Sequence, residues 1–153
     1  MSLIAGIIGS FVAILCFALL LECPRRYLPL AGIVGAAGGG VYLFCVRCGL
    51  GTVFSSFLSG LIIAFMSHMF ARIFKAPVTV FLIPGILPTV PGAGMYRTVY
   101  YILEGKRSMS AYYLTQTLEI AGMIALAIFI ADTFFKLITK FAKTDNLEKT
   151  EEK

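Results

Sequence analysis

Charge is scarce in this sequence. Only 14% of its 153 residues are Asp, Glu, Lys or Arg, against 59% hydrophobic ones, and the mean hydropathy is +0.90. A water-soluble domain of this length cannot bury so much apolar side chain, so a soluble enzyme or binding module is excluded. Polar sequence is equally short of room. Long apolar runs recur at 3–21, 27–46, 50–71, 78–103 and 111–135, leaving no stretch for a soluble catalytic domain. Each run has about the length that crosses a hydrocarbon core of roughly 30 Å. A cleavable leader is not expected: no basic segment precedes the first run, and no small-x-small pattern precedes Glu22. "LLLEC" also lacks the small residue that a lipoprotein site needs before its cysteine, so the first run reads as a retained span.

These runs predict an all-α integral membrane protein of about five transmembrane helices. Residues 1–143 form a single membrane domain and 144–153 a charged cytoplasmic tail. The net charge of +5 does not point to nucleic acid, because the cations fall between the spans. Five crossings place Arg25, Arg26, Arg72, Lys75, Lys136, Lys140 and Lys143 on one side and Arg47, Lys106 and Arg107 on the other, with Arg97 ambiguous. The positive-inside rule then puts the N-terminus outside and the C-terminus in the cytoplasm, provided the fourth segment crosses fully rather than re-entering. Near the end, Phe134, Leu137, Ile138 and Phe141 share one helical face and Lys136, Lys140 and Lys143 another, which suits an anionic membrane surface. Small residues at four-residue spacing mark helix–helix contacts. They are Gly6, Gly9 and Ala13, then Gly32, Ala36 and Gly40, then Ser56, Gly60 and Ala64.

The fourth run, "VFLIPGILPTVPGAGMYRTVYYIL", carries Pro84, Pro88 and Pro91 among Gly85, Gly92 and Gly94. Each interior proline removes a backbone donor and clashes with the preceding turn, freeing the carbonyls of Val80, Pro84 and Leu87. Such backbone survives in a bilayer only against protein or around a wet cavity. A discontinuous helix is therefore expected, restarting near Gly94 or Met95. Its free amides would offer the positive end of the dipole to an anionic group. Arg97 would add a bidentate cation, Tyr96 and Tyr100 lie one turn apart, and Thr89 contributes a hydroxyl. The competing reading of Arg97 is an interfacial cation.

"IPGILPTVPGAGMY" closely resembles the signature of the threonine/serine exporter family, specifically its small-subunit type. "CPRRYLPLAGIVGAAGG" and "TVFSSFLSGLIIAFMSHMFARIFKAPVTVF" extend the likeness over nearly the whole chain. The resemblance implies a secondary transporter, not an enzyme, in a bacterial cytoplasmic membrane. It would export small hydrophilic amino acids such as threonine and serine, coupled to protons, without metal or cofactor. It also implies a larger subunit of the same family as partner, related by inverted topology, with substrate at the interface. A homo-oligomer is the alternative assembly. On this reading Pro84, Gly85, Pro88, Thr89, Pro91, Gly92, Tyr96 and Arg97 are the candidate substrate-binding residues.

Ionisable groups within spans are expensive and often mark pathways. Glu119 shares a face with Gln116, and His68 stands four residues before Arg72, so these three are the candidates for proton coupling. Asp132, four residues before Lys136, reads as a helix-end ion pair. Three other functions stay open: export of a small dicarboxylate such as succinate, an accessory subunit with no path of its own, and a membrane thiol–disulfide oxidoreductase using the CxxC at Cys45 and Cys48.

Overall fold

The computed structural model describes the backbone of residues 3–151 and the side chains of residues 4–140. The chain is helical almost throughout: α1 (Leu3–Leu20), α2 (Leu28–Arg47), α3 (Thr52–Phe74), α4 (Thr79–Ile86), α5 (Gly92–Leu103) and α6 (Arg107–Glu151), with 3-10 turns at Arg25–Tyr27 and Leu87–Thr89. Three segments are long and apolar enough to cross a membrane, Arg25–Arg47, Thr52–Phe74 and Arg107–Lys140. The α4–α5 pair qualifies jointly but is bent by 43°, and Ile4–Leu20 is a shorter apolar helix. The all-α membrane expectation therefore holds. The expected tail at 144–153, with Phe141 and Lys143 of the amphipathic stretch, lies outside the residues whose side chains are described.

The interior is the reverse of a soluble protein's. Large apolar side chains cover the outside, Leu103 and Phe129 among them, whereas Ser55, Ser56, Ser59 and Ser67 of α3 are buried. Each buried serine donates to a backbone carbonyl, as with Ser67 Oγ to Ile63 O at 2.7 Å. That pairing removes the cost of placing a hydroxyl in an apolar interior.

Four of the five connections between helices, all but that from α4 to α5, close in one manner. Cys23, Leu50, Ala76 and Lys106 each donate an amide to the carbonyl five residues back, after a residue with positive φ. Those residues are Glu22, Gly49, Lys75 and Gly105. The reversals follow the Schellman pattern, which satisfies the last carbonyls of a helix. Pro29 enters α2 at a first-turn position, where its missing donor costs nothing.

Helix directions follow from side-chain contacts. Gly6 meets Leu43, Gly35 meets Ile14 and Gly39 meets Ser10, so α1 and α2 are antiparallel. Ser59 donates across to Gly38 O at 2.9 Å, joining α3 to α2. Gln116 reaches Thr52 and Asp132 faces His68, a constant offset of 64 residues, so α3 and α6 run parallel. Two parallel helices in sequence require α4 and α5 to return from the Arg72 end to the Thr52 end. Phe81 anchors the start of that return, fully buried against Tyr27 and Phe70 with ring centroids at 5.6 and 6.0 Å.

Arg25, Arg26, Arg72, Lys75, Lys136 and Lys140 gather at the Arg72 end, and Arg47, Arg97, Lys106 and Arg107 at the other. In the turn after α5, Glu104 accepts hydrogen bonds from Tyr100 Oη at 2.7 Å and Lys106 Nζ at 2.8 Å. Those bonds, the lysine's first, hold its carboxyl below the ordinary value of 4.5. A depressed carboxylate contributes stability above its unfolded pKa and loses it as pH falls through the folded one. The Glu104 carboxyl carbon should accordingly titrate below pH 4.5 by NMR and move back toward 4.5 in Lys106→Ala. Titration at or above 4.5 in the wild type would contradict the arrangement.

Candidate functional site

The three prolines each act where the sequence places them. Pro84 lies inside α4, and the carbonyl it leaves free, Val80 O, accepts from Cys23 Sγ at 3.7 Å. Burial pushes the Cys23 thiol above its ordinary 9.0, keeping it in the donating form. Pro88 sits in the 3-10 turn, whose Leu87 O takes the amide of Val90 at 3.3 Å. Val90 is extended, Pro91 caps the next helix, and α5 begins at Gly92. The restart falls two residues before the expected Gly94. Pro91 is the reason: it cannot continue the preceding helix but serves at a helix start.

The break opens onto a cavity of about 520 Å³. Gly85, Pro88, Thr89, Val90, Pro91, Gly92 and Ala93 form one wall; α1, α2, α3 and α6 supply the others through Gly9, Gly39, Ser56 and Ile120. Five hydroxyls line it, those of Ser10, Tyr42, Ser56, Ser59 and Thr89. Ser10, Ser56 and Ser59 give their protons to Gly6 O, Thr52 O and Gly38 O, so their oxygens keep lone pairs that can accept. Donors come from the start of α5: the Gly92 amide is taken by Val90 O at 2.8 Å and the Met95 amide by Pro91 O at 3.1 Å, which leaves those of Ala93 and Gly94. Acceptors and donors thus face one space in which no lining side chain is charged.

Six of the eight candidate binding residues cluster at this break. Pro84 packs behind the wall as a fully buried residue, and the other five line the cavity. Tyr96 and Arg97 lie elsewhere. Tyr96 is exposed and stacks on Tyr100 at 6.2 Å, while the Arg97 guanidinium sits over the Tyr113 ring at 5.3 Å. Tyr101 and Tyr113 stack at 5.5 Å beside them. Such a group of tyrosines and cations is what a membrane interface collects.

The coupling candidates are spread along α6 and α3. Gln116 is half-buried, 3.5 Å from Thr52 Oγ1. Glu119 is exposed on α6, next to the cavity-lining Ile120. His68 stacks on Phe135 at 4.8 Å and lies 3.8 Å from Asp132, which pairs with Lys136 at 2.6 Å. Asp132 is 13 residues beyond Glu119 on one helix, about 20 Å, so His68 and Glu119 form no common relay. Cys45 is buried and Cys48 exposed, and both are free thiols. Among the described residues no three His, Cys, Asp or Glu side chains gather as metal ligands.

Sequence reasoning missed Ser10, Tyr42 and Ser59. Thr89 was expected for its hydroxyl, and of the serines only Ser56 stood out, for its size rather than its hydroxyl. Nothing local distinguishes a cavity serine from the buried Ser67. Membership of the wall depends on the rotation of four helices about one another.

A family model described as "Threonine/Serine exporter, ThrE" matches residues 6–134, which include the whole break and cavity wall except Ala5. No solved structure matches the chain.

Proposed function

The chain belongs to the threonine/serine exporter family, a family of transporters, and on that premise we propose that it is one subunit of a proton-coupled secondary carrier exporting threonine and serine. The observation that carries this reading is the uncharged, hydroxyl-lined cavity at the broken α4–α5 segment. A zwitterion needs donors for its carboxylate and acceptors for its ammonium. The Ala93 and Gly94 amides at the opening of α5 supply the first and the hydroxyl oxygens the second. The net-neutral wall favours a zwitterion over a small dicarboxylate, whose two charges would call for cationic partners. Arg97 acts in this reading at the mouth, held by Tyr113, and not on the bound carboxylate.

The α4–α5 pair is then a broken span that crosses fully, because α3 and α6 are parallel. The chain crosses five times in a bacterial cytoplasmic membrane, with the Arg72 end cytoplasmic by its excess of cations. Glu119 supports the need for a second subunit. Its register partner on α3 is Ser55, three residues inside Thr52, which puts an exposed carboxylate about 4.5 Å past the helix start. A carboxylate within an apolar span is stable when protein covers it. We assign that cover to the larger subunit of the same family, and proton coupling to Glu119 at the contact.

Labelled threonine and serine counterflow in proteoliposomes tests this. The expected result is counterflow by the chain together with the larger subunit, with little from the chain alone. Arg97→Ala should weaken the apparent affinity by less than about tenfold, as for a mouth residue. Counterflow by the chain alone would replace the two-subunit account with a homo-oligomer. A folded pair that moves neither amino acid would overturn the substrate, and succinate would be tried in the same vesicles.

A further inference from the structure

A second cleft, of about 340 Å³, lies between α3 and α6 at the Arg72 end, far from the cavity at the break. It is lined by His68, Arg72, Phe135, Lys136, Thr139 and Lys140. Three of these six carry permanent positive charge, and Arg and Lys offer donors, whereas the Thr139 hydroxyl gives its proton to Phe135 O at 2.8 Å. Arg72 is already oriented. One guanidinium nitrogen donates to Phe135 O at 2.8 Å and to the Thr139 hydroxyl, and the group lies 5.0 Å from the centroid of the Phe135 ring. No carboxylate comes within ion-pair distance of Arg72 among the described residues. Asp132 is held by His68 and Lys136 and does not line the cleft.

The surroundings indicate which kind of anion fits. Met69 and Ile73 on α3, and Phe134, Leu137 and Ile138 on α6, are exposed apolar side chains within a turn of the cationic ones. A ligand seated here meets charge at one end and hydrocarbon beside it. A free phosphate would use only the first. We infer that this cleft binds the phosphate of an anionic glycerophospholipid, whose acyl chains lie along the exposed faces of α3 and α6. Basic clefts between membrane helices bind headgroups in this way. Here the bound phosphate bridges Arg72 of α3 to Lys136 and Lys140 of α6. It would fasten α6 to the rest of the bundle at the end opposite the α5–α6 turn.

The test uses the purified full chain in neutral detergent, with thermal unfolding read against added lipid. Phosphatidylglycerol should raise the midpoint saturably, and phosphatidylcholine or inorganic phosphate should not. Lys136→Gln with Lys140→Gln should weaken the phosphatidylglycerol response about 25-fold, roughly fivefold for each lysine removed. Arg72→Gln should weaken it further. Because Arg72 also bonds to α6, that variant could unfold for other reasons, so the lysine pair decides. Lys136 is 76% exposed and pairs with Asp132 of its own helix, so its removal breaks no bond between α6 and α3. An unchanged phosphatidylglycerol response in the lysine variant would overturn the site. An equal response to inorganic phosphate would overturn the lipid assignment in favour of a small anion, and an equal response to phosphatidylcholine would overturn the requirement for charge.

Discussion

Gly92→Phe should stop amino-acid counterflow while leaving the protein folded. Gly92 is the first residue of α5, and a Cβ built there meets no atom within 4 Å. Its φ is not positive, so no left-handed backbone resists a side chain. The first turn of a helix also gains from replacing glycine by a residue with less backbone freedom. Gly92 lines the cavity, so a phenyl ring in the open space beside it is expected to narrow the cavity where α5 begins. Loss of at least about tenfold in counterflow is expected, equivalent to ~1.4 kcal/mol of substrate binding. The unfolding midpoint should stay within about 2 °C of wild type. Gly92→Ala should keep most of the activity, since a methyl group takes little of about 520 Å³. Full counterflow by the phenylalanine variant would remove this cavity as the path.

The residues that make this prediction were only partly visible in the sequence. Proline and glycine act on their own backbone, so the break at Pro84, Pro88 and Pro91 could be placed to within two residues from the chain alone. Charge at helix ends was equally legible, since Arg25 and Lys75 must lie between spans wherever the spans pack. The cavity was not. Ser10 and Ser59 reach it from α1 and α3 because Gly39 and Gly38 let those helices approach α2 closely, and that depends on which glycine faces which neighbour. Arg97, for which two readings stayed open, shows the opposite case. It stands five residues after the start of α5, close in sequence to the break, but the helix carries it about 7.5 Å further along and round toward Tyr113. Proximity in sequence to a helix start does not put a side chain at that start.

The glycines themselves carry the second large effect, and they are unequal in a manner their spacing conceals. Gly9 and Gly35 both belong to small-residue stretches. A Cβ at Gly9 would meet nothing within 4 Å, whereas one at Gly35 would fall 1.7 Å from Ile14 Cδ1 and 2.8 Å from Ile14 Cβ. Ile14 is 2% exposed, and its Cβ cannot swing away as a chain end can, so α1 would have to move off α2. Gly35→Val should therefore destabilise the protein by about 2–3 kcal/mol, the upper part of the range for overpacking a close contact. Gly9→Ala should be neutral or slightly stabilising, by up to ~1 kcal/mol from helix propensity. Reversible unfolding in mixed micelles measures both. The contact between Gly35 and Ile14 makes a further demand: Ile14→Ala alone should cost about 2–5 kcal/mol, and combined with Gly35→Val it should cost clearly less than the sum. The valine then fills space that the isoleucine has vacated. Additive losses would mean that α1 and α2 do not meet at Ile14 and Gly35. The cavity wall at Gly35 and Gly39 would then have to be drawn differently.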